Sequence, residues 1–138
     1  MFIDKNLELA DGQALTASAA STNVIDLGSD RDIGAGTPMY VVLQVDTAAD
    51  GTTTDETYQF DIQTDDNVSF SSAGSLFSRT ISYGDLTAGA QFVFPMPHDN
   101  ERYLRLYSTL GGTTPSVTIS AWLTDQAPQK WQAYPDAI

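Results

Sequence analysis

The chain has no cysteine among its 138 residues and a single histidine, His98. The first absence removes a disulfide framework, a thiolate metal site and a cysteine nucleophile. The second leaves too few nitrogen or sulfur donors for the usual zinc set. Basic residues are also scarce: six Lys and Arg stand against eighteen Asp and Glu, for a net charge of −12. Such a surface repels a phosphate backbone, which argues against nucleic acid as a partner, and an anionic membrane is disfavoured for the same reason. No apolar run approaches the roughly 20 residues that span a bilayer. Asp4 and Glu8 interrupt the stretch where a secretory leader needs an apolar core, so no Sec leader is expected. No segment carries a capped 3.6-residue period. The alanine-rich stretch ADGQALTASAAST suits a helix or an extended segment about equally, given Gly12 and its small β-compatible residues.

What is present is a period of two. Tyr58, Phe60 and Ile62 alternate with Gln59, Asp61 and Gln63, the pattern of a half-buried antiparallel strand. Val117, Ile119, Ala121 and Leu123 share one face of another segment, with Thr118, Ser120 and Trp122 on the other. Met39, Val41, Leu43 and Val45 point one way in a near-continuous apolar run that reads as a central strand. Phe92 and Phe94 share a face, and Leu104 and Leu106 point inward while Tyr103, Arg105 and Tyr107 point outward. Weaker strands are expected at 23–27, 76–83 and within 5–18. Turn chemistry separates these runs at Asp11-Gly12, Asp50-Gly51, Asp65-Asp66-Asn67, Gly84-Asp85 and Gly111-Gly112. About eight short strands predict an all-β, antiparallel sandwich, with a jelly roll as the leading topology. It forms one domain over 1–125, followed by an extended arm over 126–138 in which Pro128 and Pro135 flank Trp131 and Tyr134.

The candidate chemistry is thin. Gly34 and Gly36 in DRDIGAGTPMYVVLQVD suggest a phosphate loop, but the glycines precede the strand, no helix or Lys-Ser/Thr follows, and a turn into the strand is the better reading. The acidic loop DTAADGTTTDET fits a twelve-residue calcium frame at Asp50 and Gly51. It fails at Ala48 and at Thr57, where a bidentate glutamate belongs. A solvated hairpin tip is expected there, with an irregular calcium site left as the alternative, and no metal or cofactor is assigned. His98, beside Asp99 and Glu101, reads as a loop residue, since no serine elbow accompanies it.

The outward aromatics carry more. Tyr103, Tyr107 and Trp122, with Arg105, have the composition of an interface centre. The competing reading is a second covered face of a central strand. Trp131 and Tyr134 read as a partner-binding arm or as a tail folded on its own sandwich.

Several pieces in order, MFIDK, ALTASAASTNVIDLGSDRDIGAGTP, YQFDIQTDD with FSSAG, and PHDNERYLRLYSTLGGTTPSVTISAWLT, resemble the capsid cement or decoration proteins of Bordetella podophage and related tailed phages. The resemblance spans most of the chain. It implies a jelly roll without enzymatic activity, made in the host cytoplasm and placed on the outer surface of the capsid. There it would bridge neighbouring major capsid proteins, and Asp32, Gly34 and Gly36 would shape a turn between strands. Self-association as a homodimer or homotrimer is expected on symmetry grounds. Two rival readings are a carbohydrate-binding jelly-roll module of a tail or fibre, using Trp122 or Trp131 as its platform, and a small hydrolase, the weakest of the three.

Overall fold

The structure, a computed structural model, describes residues 3–31, 36–97 and 100–128. A 3₁₀ turn at Lys5–Leu7, capped by the Asp4 carboxylate accepting from the Asn6 N–H, leads into the nine strands of the described residues. They are β1 (Glu8–Leu15), β2 (Ala19–Ala20), β3 (Ile25–Asp26), β4 (Tyr40–Thr47), β5 (Thr57–Asp65), β6 (Gly74–Ile81), β7 (Gln91–Pro95), β8 (Tyr103–Gly111) and β9 (Val117–Thr124). Two antiparallel sheets result. One has the order β1-β9-β4-β7; the other has the order β2-β8-β5-β6, with β3 also paired to β8.

The pairing has a simple logic. β5 and β6 form the one hairpin within a sheet, and from there each earlier strand pairs with a later one: β4 with β7, β2 and β3 with β8, and β1 with β9. The chain is thus a long double strand rolled up, and β5·β8 and β4·β9 close the roll. This is a jelly roll. Nine strands appear where about eight are expected because β2 and β3 are one strand interrupted. At the break the Leu106 N–H donates to the Ser21 hydroxyl at 3.1 Å instead of to a backbone carbonyl, while the Ser21 N–H still donates to Leu106 O at 2.7 Å.

Period two positions the core. Val41, Leu43, Val45, Ile119, Ala121 and Leu123 from one sheet meet Tyr58, Phe60, Ile62, Leu104 and Leu106 from the other, all buried. Leu86 and Met96 plug the two ends from loops. Asp11-Gly12 does not turn the chain, as its composition suggested. It lies inside β1, where Gly12 at φ +59° sits in an irregularity of the β1·β9 register. Glycine takes that left-handed geometry without strain, so the strand bulges and continues.

The loops gather at two poles. One holds 16–18, 48–56, 82–90 and 112–116. There the buried Tyr58 hydroxyl donates to Asp50 O at 2.8 Å and accepts from the Ser116 N–H at 3.1 Å, tying two loops together. The other pole holds the start of β1, the end of β9 and the loops after β3, β5 and β7. Asp32, Gly34, His98, Asp99 and the arm residues Trp131 and Tyr134 lie outside the described residues. Gly36, at φ +82°, occupies a turn before β4.

Candidate functional site

The outer face of the β2-β8-β5-β6 sheet is the richest surface in the fold. Alternation along β8 puts Leu104 and Leu106 into the core and leaves Tyr103, Arg105 and Tyr107 half-buried on the outside. Across the ladder, Arg105 stands opposite Gln63 and Tyr107 opposite Asp61. Arg105 is held in three ways. Its Nε donates to Gln63 Oε1 at 2.8 Å, and its guanidinium lies 4.2 Å from the Phe70 ring centroid and 5.3 Å from that of Tyr107. A guanidinium over an aromatic face is attracted by the ring quadrupole.

Phe70 reaches this position because the β5–β6 loop folds back along the sheet. The Asp65 carboxylate, fully buried, organises that loop by accepting from the Asn67 N–H at 2.9 Å and the Ser72 N–H at 2.8 Å. Those bonds, the Asn67 N–H foremost, hold the Asp65 carboxyl below its ordinary range. The loop closes with Phe70 at φ +52°, an uncommon conformation for a bulky residue. At the edge of the same face Arg102 forms a two-pronged pair with Asp26, at 2.8 and 3.1 Å, and its guanidinium lies 4.9 Å from the Tyr103 centroid. The Arg102 hydrogen bond, helped by the Gly28 N–H, lowers the Asp26 carboxyl from 3.8 to about 2. The other half of the face is neutral and acidic, with Gln59 bridging Asp61 at 3.1 Å and Ser78 at 3.0 Å.

A model of Bbp16, a Bordetella phage protein family, matches residues 9–123. The chain belongs to the Bbp16 family. No curated protein matches it. The matched span runs from β1 into β9, so it takes in the rolled double strand except Glu8 and Thr124 at its two ends.

In this Bbp16-family fold the residues grouped by sequence do not form one surface. Tyr103, Arg105 and Tyr107 come together as expected. Trp122 lies on the outer face of the other sheet, opposite Val42 and Glu8, on the far side of the sandwich. It is also only 5% exposed, which corrects its reading as an outward aromatic available to a partner or a sugar ring. The covered-face alternative describes it better, since its neighbour Val42 is fully buried outside the inter-sheet core. Glu101 is an exposed loop residue whose N–H donates to Thr64 Oγ1 at 2.7 Å. Among the described residues, no group of three or more His, Cys, Asp or Glu side chains is placed to hold a metal ion. Sequence reasoning missed Phe70, Gln63, Arg102 and Asp26. The one available signal was Phe70 itself, the single aromatic in the turn-rich NVSFSSAG.

Proposed function

We propose that this chain is a capsid cement protein, which binds the outside of an icosahedral phage head and bridges neighbouring major capsid proteins without catalysing a reaction. The observation that carries the reading is the Bbp16 match across nearly all of the sandwich. Two features support it. The Tyr103–Arg105–Tyr107 face offers rigid, half-buried aromatics around an arginine, the composition that dominates interface energetics. Arg105 has five N–H donors, of which Nε alone meets an acceptor among the described residues, so its terminal amines remain for a partner's carboxylate or carbonyl.

The physics of a cement needs nothing more. A clamp that binds only the assembled shell stabilises it by mass action. Many copies on one shell turn modest contacts into a durable coat, and self-association as a dimer or trimer would match a symmetric site. Co-sedimentation with emptied heads of the phage that encodes it tests the reading. The protein is expected to pellet in a fixed ratio to the major capsid protein, and Arg105→Ala is expected to fold normally but stay in the supernatant. A wild-type chain that never pellets, or that instead binds glycans on an array, would count against it.

A further inference from the structure

The pole formed by the 48–56 and 112–116 loops contains an arrangement that the aromatic face does not use. Glu56 is buried, at 4% exposure, and its Oε2 has no hydrogen-bond partner among the described residues. Its Oε1 accepts from the Thr53 N–H at 3.1 Å and lies 2.5 Å from the Thr53 hydroxyl oxygen. The same hydroxyl oxygen lies 2.5 Å from Asp55 Oδ1 and 3.5 Å from Thr113 O. Asp55 in turn accepts from the Thr113 N–H at 3.1 Å and the Thr113 hydroxyl at 2.9 Å.

A hydroxyl carries one hydrogen. It can donate to one of the two carboxylates, so the other contact brings two oxygens together with no hydrogen between them. At neutral pH aspartate and glutamate side chains are ordinarily ionised. Among the described residues no Lys, Arg or His lies within 4.0 Å of either. Two negative charges, one of them buried with an oxygen unanswered, therefore stand side by side without a counter-charge. Burial of an unpaired charge is costly, and such groups are normally paired or bound to a metal.

We propose that the Thr53–Asp55–Glu56 turn, closed by Thr113, is a binding site for a hard divalent cation, calcium in preference to magnesium. Hydroxyl, carbonyl and carboxylate oxygens from two loops make an irregular oxygen shell, which suits the variable coordination of calcium. Magnesium demands a near-ideal octahedron and gives up its water reluctantly. With only two carboxylates the affinity belongs to the weak class, about 10⁻⁴–10⁻³ M. The site goes beyond the cement reading and stands or falls separately from it.

The test uses the purified full chain. Calorimetric titration with calcium chloride in about 0.15 M NaCl, where diffuse counter-ion effects are largely screened, is expected to give saturable binding of one ion per chain. Terbium luminescence excited through tyrosine, with Tyr58 close by, should be quenched by added calcium. Glu56→Gln and Asp55→Asn should each weaken binding by about tenfold or more, the equivalent of about 1.4 kcal/mol. Asp85→Asn, at an exposed acid on the same pole, should leave it unchanged. Should Glu56→Gln fail to fold, Asp55→Asn at its exposed position decides the matter. Non-saturating uptake that salt abolishes would overturn the site, as would saturable binding that folded Asp55→Asn or Glu56→Gln leaves intact.

Discussion

Leu104 and Arg105 are adjacent in β8, yet their side chains belong to different worlds: Leu104 is 2% exposed in the core, and Arg105 lies on the outer face. Leu104→Ala is expected to lower unfolding free energy by about 2–5 kcal/mol, because a cavity remains where the side chain packed. Arg105→Ala loses two ring contacts and one hydrogen bond, about 1–2 kcal/mol in all. Urea unfolding of the two variants checks the register, since equal losses would place the strand one residue out of phase. Asp26 provides a second test at this scale. Its carboxyl is lowered in the folded state from 3.8 to about 2, so the stabilisation from Arg102 is complete above the unfolded value and disappears as pH falls through about 2. The difference in urea midpoint between the wild type and Asp26→Asn should therefore be constant above about pH 5 and shrink as the pH falls towards 2.

At the scale of elements, periodicity told inside from outside with little error. In β5, β8 and β9 each buried aliphatic residue falls on the face that alternation assigns to it. What alternation cannot encode is what lies above a sheet. The burial of Trp122 and the approach of Phe70 to Arg105 both depend on segments remote in sequence, and no local pattern announces them. The Gly12 bulge and the Ser21 break were hidden for another reason: small polar residues look alike in turns and in strand irregularities. The arm residues Trp131 and Tyr134, outside the described residues, add nothing to this comparison. β6 deserves a prediction of its own. It is an eight-residue strand at the end of its sheet, a template for unwanted pairing. Arg79 lies on its core-side register, opposite Phe60, with its guanidinium 5.7 and 5.9 Å from the Phe92 and Phe94 centroids of β7. An inward-facing charge on an edge strand discourages a second strand from adding to it. Arg79→Leu should accordingly remain folded but scatter more light on heating at high concentration; unchanged scattering would show that the edge is protected by something else.

For the molecule as a whole, the rolled double strand makes almost every pairing except β5·β6 distant in sequence, and the last strand closes on the first. Chains dominated by such contacts fold slowly, in milliseconds to seconds, because loop closure must precede the reward of pairing. The sequence contains two tryptophans, so a Trp131→Phe variant leaves Trp122 in β9 as the one indole. Its stopped-flow fluorescence should change in the millisecond-to-second range. A microsecond phase carrying the full amplitude would contradict a fold that closes through β1 and β9.

Rolling a double strand from its hairpin has a consequence for engineering. Glu8 at the start of β1 pairs with Trp122 near the end of β9, so both ends of the sandwich emerge from one pole, while the 48–56 and 112–116 loops occupy the other. A passenger attached before β1 or after β9 would leave from the same side. The sandwich should also tolerate being re-cut: a short linker could join the two ends, and a new opening in the exposed Thr52–Asp55 stretch would place both new ends at the opposite pole. One scaffold could thus carry its cargo upright or inverted with every strand pairing preserved.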